Sequence, residues 1–579
     1  MSWIFGAVGK GIDDRFTGSL DGLLNGSHLL LKSPELVLYS GGIKETCHLN
    51  VVSESPAEGW LVSGIGIDYC RHDFRLMSKD DWSSLFSKSM DDRIKQLDGH
   101  FVTIQWSKNE ISFHTDQLGL RQLFFTEIGH GQFAFSTRLD WISRSNTNST
   151  IDFREFGSQW LLHNRLSLNS IATETMRISQ GGEAKYVNGK LSTSNKPWSP
   201  SMGTDLPDED HISILEKLTR LPLKDGASLS LALSGGLDSR VLLSILLSSE
   251  YKDWSLHSLH HPENPDIKIA KLISSELGIE HQFIEDEIPD APKCIALLDD
   301  YVGYTHAVSP ASNFIGLQFY SQLYQQSKIV IDGGLGEIAR HRYLNRLLRL
   351  GKKYLLDGDY GAILPYIKQN RAPIFSAEVN NRMNEGVTSE IMNLADSMPD
   401  IREIGIDNWT DLLAIRTRLP NLAGLEQSRA DTEVVTYMPF AQPSFLRHVF
   451  SAAVSERRNG TFFKKMLRKN RVLSSFPLAK DGVVYPLFFP NTASSIYIGL
   501  RRKYGKMFHD NLTDLFLGRV SEYVQDTLTS SSVKNCGYYN YNFIAETVSA
   551  YYKGDKEHSS IVNWWLSFET FRQQISNKI

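Results

Sequence analysis

A chain of 579 residues is long enough for two or more domains, each with its own core. Hydrophobic residues make up 41% and charged residues 22%, as in ordinary globular proteins, and a net charge of −5 gives no basis for nucleic-acid binding. The four cysteines, Cys47, Cys70, Cys294 and Cys536, are scattered without metal-ligand spacing, which argues against a disulfide framework and suits a reducing cytoplasm. The opening run Met-Ser-Trp-Ile-Phe-Gly-Ala-Val-Gly-Lys is too short for a signal peptide, and no run reaches membrane-spanning length. The expectation is a cytoplasmic protein with neither membrane nor nucleic acid as a partner.

In chain order, Phe101-Val-Thr-Ile-Gln-Trp, Ile111-Ser-Phe-His and Gln132-Phe-Ala-Phe-Ser alternate apolar and polar residues, which predicts antiparallel strands. Residues 192–210 are rich in Ser, Thr, Pro and Gly, lack an apolar period, and read as a linker. Beyond them strands and helices alternate. Leu229, Leu231 and Leu233 mark a buried strand, and Val241-Leu-Leu-Ser-Ile-Leu-Leu an apolar helix. Ser255-Leu-His-Ser-Leu-His is the next strand. A helix then opens at Asn264 with Pro265 in first position, carries Ile267, Ala270, Ile273 and Leu277 on one face, and closes at Gly278. Gln282-Phe-Ile-Glu and Lys328-Ile-Val-Ile-Asp complete the strands. The alternation predicts a mostly parallel, doubly wound sheet with a nucleotide at the strand ends. From about residue 340 the pattern is mainly helical.

Between the first of these strands and its helix lies Ser234-Gly-Gly-Leu-Asp-Ser239. A glycine-bearing strand-to-helix turn offers free backbone N–H groups and a positive dipole end to an anion. Gly235 and Gly236 allow close approach of the main chain, and Ser234 and Ser239 add hydroxyls. Asp238 is placed to hold Mg²⁺ between phosphates. The string resembles the pyrophosphate loop of the ATP pyrophosphatases, which cleave ATP to AMP and pyrophosphate.

The two halves together resemble the asparagine synthetase family, which includes β-lactam synthetases and lasso-peptide cyclases. In the C-terminal half the resemblance rests on Leu256-His-Ser-Leu-His-His-Pro-Glu-Asn-Pro-Asp, Leu277-Gly-Ile-Glu-His-Gln, Asp332-Gly-Gly-Leu-Gly-Glu-Ile-Ala-Arg-His-Arg-Tyr343 and Tyr437-Met-Pro-Phe-Ala-Gln. In the N-terminal half it rests on Leu97-Asp-Gly-His-Phe and Thr115-Asp-Gln-Leu-Gly-Leu-Arg-Gln-Leu-Phe-Phe125. It implies an N-terminal nucleophile (Ntn) hydrolase-like antiparallel sandwich over residues 1–191. It also implies an α/β ATP-pyrophosphatase synthetase domain with a helical extension over residues 205–579. The same resemblance assigns ATP binding to Leu233, Ser234, Gly235, Gly236, Asp238, Ser239 and Gly333.

Departures from the family pattern refine this expectation. Ser2 stands where glutamine-using members carry the cysteine nucleophile, and their Asn-Gly-Glu-Ile-Tyr-Asn pocket is replaced by Val62-Ser-Gly-Ile-Gly-Ile-Asp. A hydroxyl is a poorer nucleophile than a thiol at neutral pH, so the N-terminal domain is expected to be an inactive glutaminase. Glu337 takes the place of the second metal-binding Asp and keeps an oxygen ligand for Mg²⁺ beside Asp238. A carboxylate at a helix start is also favoured by the dipole alone. Gly334 falls where asparagine synthetases carry Glu and β-lactam synthetases a catalytic Tyr. Lys480 matches the lysine that faces the adenylate, and Lys465 lies in a segment resembling the family's Lys-x-x-Leu-Arg helix. Arg340 and Arg342 are candidates for pyrophosphate or substrate.

The expected reaction is ATP-dependent amide formation through an acyl-adenylate, with ATP and Mg²⁺ as cofactors and Lys480 and Lys465 as catalytic residues. Without ammonia from glutamine, the amine belongs to the substrate or to a second molecule. The first choice is macrolactam formation in a lasso peptide, with a precursor-processing protease as the partner this implies. The alternatives are an ammonia-dependent asparagine synthetase, a β-lactam-type small-molecule synthetase, and a catalytically silent scaffold.

Overall fold

The computed structural model describes residues 2–576 apart from 13–26, 52–57, 70–73, 88–90, 147, 201–209, 260, 285–286, 327, 481, 506–507 and 509. Thirteen strands precede the expected linker: β1 (Ser2–Val8), β2 (His28–Lys32), β3 (Leu36–Gly42), β4 (Cys47–Val51), β5 (Gly59–Asp68), β6 (Arg75–Leu76), β7 (Asp98–Trp106), β8 (Ile111–Thr115), β9 (Leu123–Gly129), β10 (Gln132–Ser136), β11 (Met176–Ile178), β12 (Glu183–Val187) and β13 (Lys190–Ser194). They form two antiparallel sheets, ordered β11-β9-β10-β1-β3-β2 and β13-β12-β8-β7-β5-β4, with β6 paired to β5. The three runs predicted as strands from alternation are β7, β8 and β10.

The two-residue period of β1 explains how this part is layered. Ile4 and Val8 point between the sheets, into a core with Val102, Ile104 and Phe113. Trp3 and Phe5 point the other way, into a core shared with Trp565, Phe568 and Tyr301 from the C-terminal half. Around β1 the first sheet is therefore buried on both faces, against a sheet on one side and helices on the other.

The C-terminal half holds a parallel sheet of β14 (Ser228–Ala232), β15 (Trp254–Leu259), β16 (His281–Ile284), β17 (Lys328–Ile331) and β18 (Thr436–Tyr437), in the order β16-β15-β14-β17-β18. β14 sits at the centre, and the chain winds outward from it first to one side and then to the other. Its carboxyl end is the topological switch point, where α/β sheets bind ligands. A separate hairpin pairs β19 (Leu478–Lys480) with β20 (Val483–Tyr485).

Nine helices matter below: α1 (Phe153–Leu161), α2 (Leu237–Leu247), α3 (Pro265–Leu277), α4 (Ala377–Ser397), α5 (Ile406–Arg418), α6 (Pro443–Ser451), α7 (Thr461–Arg468), α8 (Asn491–Tyr504) and α9 (Ser559–Ser576). α3 has the ends its sequence predicts. The Asn264 side chain accepts from the Asp266 N–H, Pro265 occupies the first turn, and Gly278 closes the helix at φ 64°.

The linker expectation needs a correction over its first part. Residues 192–194 belong to β13, and Trp198 is buried, 5.8 Å from the Phe450 ring. Its carbonyl accepts a hydrogen bond from Arg416 Nε at 2.9 Å. An aromatic side chain inside a polar, proline-rich stretch anchors the chain that composition alone reads as loose. Residues 201–209 of the same stretch lie outside the described residues.

Candidate active site

The turn after β14 is shaped by its own serines. Ser234 N–H donates to Ser239 Oγ at 3.1 Å, the two hydroxyls lie 3.0 Å apart, and Gly236 N–H donates to Ser234 Oγ at 3.1 Å. Leu233, the buried residue before the turn, is tied to β15 by its N–H, which donates to the His257 carbonyl at 2.9 Å. α2 starts at Leu237 with Gly236 as its N-cap and no side-chain cap bond, so its first N–H groups have no side-chain acceptor. Such an end at a switch point suits the phosphates of a nucleotide.

Gly235 cannot be enlarged without displacing its neighbours. A Cβ there would lie 3.0 Å from both the Ala479 side chain and the Asp266 backbone. The contact with Ala479 belongs to a wider lock. Ala479 N–H donates to the Gly235 carbonyl at 3.1 Å. Arg240, buried in α2, donates to the carbonyls of Gly235 at 3.0 Å, Phe476 at 2.9 Å, Pro477 at 2.5 Å and Leu473 at 3.4 Å. These bonds seat the hairpin carrying Lys480 against the turn, with Lys480 exposed at the end of β19.

The segment after β17 closes the site from the other side. A Cβ on Gly333 would meet the Ser239 nitrogen at 2.7 Å, and one on Gly336 the Asp238 Cγ at 2.4 Å. Leu335 between them sits at φ 69°, a left-handed conformation that a leucine holds only under tertiary constraint. The Gly334 Cβ position is 2.7 Å from Asp332 Oδ1 and 3.1 Å from Met438 Sδ, so a larger side chain there would displace these two side chains. Glu337 lies half-buried in the short helix Gly336–Ala339.

Asp238 is largely enclosed. Burial pushes its carboxyl up to about 6, Arg340 opposes that shift, and the charge of Glu337 adds to it. Oδ2 accepts from Arg340 at 2.6 Å, while Oδ1 is buried without a hydrogen-bond partner. An orphaned carboxylate oxygen with a second carboxylate in electrostatic reach fits a hard cation such as Mg²⁺. Among the described residues there is no cluster of three or more His, Cys, Asp or Glu placed to hold a metal.

The two lysines of α7 separate on folding. Lys465 is exposed. Lys464 is half-buried and donates to the Phe489 carbonyl at 3.1 Å; burial lowers its ammonium pKa, helped by Arg342, Arg340 and Arg468. Lys464, rather than Lys465, therefore faces the segment that follows Asp332. Sequence reading missed it although the signal was in the spacing: with Leu467 and Arg468 fixed, the pattern Lys-x-x-Leu-Arg puts its lysine at 464. It also missed the structural role of Arg240. The one available signal was an arginine inside an otherwise apolar helix.

Residues 213–336, from the helix before β14 to the loop after β17, match the asparagine synthase family model. The match supports the asparagine synthetase family for this part of the chain. No curated protein matches the chain. Among solved structures, one titled as the allosteric regulatory enzyme of purine biosynthesis is 10% identical, with a TM-score of 0.23, and the match covers 40% of this chain and 60% of that one. A glutamine phosphoribosylpyrophosphate amidotransferase from B. subtilis, complexed with ADP and GMP, is 10% identical with a TM-score of 0.22, covering 48% and 65%. The chain thus spans less than two thirds of either, and scores this low carry no argument about fold or function. No described helix is long and apolar enough to cross a membrane.

Proposed function

We propose that the chain is an AMP-forming amide ligase that adenylates a substrate carboxylate and joins it to an amine, most specifically by macrolactam formation within a lasso peptide. The observation that carries this reading is the lock of Arg240 and Ala479 on Gly235, which holds the Lys480 hairpin beside the turn 234–239. In the first step a carboxylate oxygen attacks the α-phosphorus of ATP and the bond to the leaving pyrophosphate breaks. The N–H groups at the start of α2 and the hydroxyls of Ser234 and Ser239 bind that pyrophosphate. Asp238 and Glu337 would hold Mg²⁺, which when bound neutralises phosphate charge. In the second step the amine attacks the acyl carbonyl, AMP leaves with the electron pair of the broken C–O bond, and the amine gives up a proton. Lys480 offsets the oxyanion that develops on the carbonyl.

The N-terminal half is read as an Ntn-type glutaminase-like domain kept as a scaffold. The Ser2 hydroxyl is buried, donating to the Thr46 carbonyl at 3.1 Å and lying 3.0 Å from Ser63 Oγ. The glycine at position 334 disfavours an asparagine synthetase or β-lactam synthetase mechanism that relies on a side chain there. Both remain alternatives, as does a catalytically silent scaffold.

The test is product analysis. With Mg²⁺-ATP and a peptide bearing a free N-terminal amine and an Asp or Glu acceptor, the protein should release AMP and pyrophosphate. Glutamine alone should yield no glutamate. ADP and phosphate as products would rule out adenylation.

A further inference from the structure

Next to the segment that pairs Arg340 with Asp238 is a hollow of about 630 Å³. Its walls come from the residues after that segment, from 458–459 and from the start of α8. Arg346, Arg349, Lys352 and Arg458 line it, in a protein whose net charge is −5. One carboxylate, Asp407, also lines it, and it is already engaged by Arg458 at 2.7 Å and His341 Nε2 at 2.9 Å. Among the described residues Arg346, Arg349 and Lys352 have no ion-pair partner. Three unopposed cations around a concavity repel one another and gain from an anionic occupant.

The hollow opens onto an apolar stripe. Ile496 lines it and is 60% exposed; Leu500 is 54% and Tyr504 74% exposed. Their spacing of four places them on one face of α8, a strip about 12 Å long at 1.5 Å per residue. α8 packs on β20 of the Lys480 hairpin, and Lys464 binds the Phe489 carbonyl just before α8. Hollow and stripe therefore flank the proposed reaction centre without belonging to it.

We propose that they dock the substrate peptide, taking carboxylate side chains into the hollow and apolar side chains along α8. This rests on the reading of the chain as a ligase acting on a peptide. An extended peptide of about four residues spans the stripe at ~3.3 Å each, leaving its neighbours to reach the cations. A flat anionic bilayer would meet the stripe but leave the cations of the hollow unpaired, so the concavity favours a peptide.

Fluorescence anisotropy of a fluorescein-labelled peptide of about eight alternating Glu and Leu residues tests this, with a Lys–Leu peptide as control. Wild-type protein should bind the acidic peptide at least about tenfold more tightly than the control, and Arg346→Glu/Arg349→Glu should lose that preference. Leu500→Asp should weaken binding independently. A fluorescent ATP analogue should bind all of these proteins alike, which shows that the variants are folded. Unchanged acidic-peptide binding by the double variant would overturn the proposal, as would binding of phosphatidylglycerol vesicles without binding of the peptide. Failure of wild-type protein to bind the ATP analogue would instead remove the ligase reading, and the peptide comparison would still decide the docking surface.

Discussion

Asp238 and Lys480 stand on opposite sides of the same turn, and their expected effects separate the two chemical steps. Asp238 Oδ1 is buried without a hydrogen-bond partner, and in the proposed reaction Asp238→Asn removes the charge that serves the first step. That variant should lose both amide product and substrate-dependent exchange of labelled pyrophosphate into ATP. Lys480→Ala acts on the second transition state, where loss of a preorganised charge costs on the order of 10²–10³ in rate. It should nearly abolish product while retaining part of the exchange. A wild-type product rate in Lys480→Ala would return this lysine to the surface. Arg340 adds a constraint on the same site: it donates to Asp238 Oδ2 and leaves Oδ1 as the oxygen without a hydrogen-bond partner.

At the scale of elements, α1 and α4 cross at two glycines. A Cβ on Gly157 would lie 2.4 Å from the Met383 carbonyl oxygen, and one on Gly386 would lie 2.1 Å from that of Arg154. Backbone atoms cannot swing aside as side chains do, so even a methyl group forces the helices apart. Gly386→Ala should destabilise the protein by about 1–3 kcal/mol despite alanine's better helix propensity. A lowered urea midpoint would show this, and an unchanged midpoint would mean that the helices separate freely. α1 precedes the linker stretch and α4 follows it, so this crossing also joins the two halves.

Across the whole molecule, two motifs distant in sequence meet between the halves. Gly99 N–H donates to Gln442 Oε1 at 2.8 Å, and Asp98 accepts from the N–H of Ser444 at 3.0 Å and from its hydroxyl. Asp431 lies between His100 at 3.4 Å and Arg121 at 3.5 Å, and Arg121 also donates to the Ser2 carbonyl. Burial pushes the Asp98 carboxyl up to about 7, against the bonds from Ser444 and the charge of Arg447. The folded state therefore holds a proton there that the unfolded state has lost above its ordinary value of 3.8, and stability falls as pH rises between these two values. Asp98→Asn mimics the protonated form. Its melting temperature relative to wild type should rise from pH 5 to 7 and level off above 7. A difference independent of pH would show that Asp98 does not titrate in this window.

Local signals in the sequence determined the elements that depend only on neighbouring residues. The alternation in β7, β8 and β10, the Asn264 and Gly278 ends of α3, and the strand–turn–helix around Ser234 follow from short-range period and capping, which act over a few residues. The motif 234–239 is likewise a local signal, and the phosphate chemistry proposed for it rests on that signal. Tertiary structure decided everything that needed two distant segments to meet. The Arg340–Asp238 pair, the Arg240 lock on residues 473–477 and the Lys464 contact with Phe489 join segments separated by up to 237 positions. Trp198 anchors the first part of the expected linker for the same reason. Side-chain periodicity records which face of an element is buried but not what it is buried against, so partners across the fold became legible only once the sheets and helices were in place.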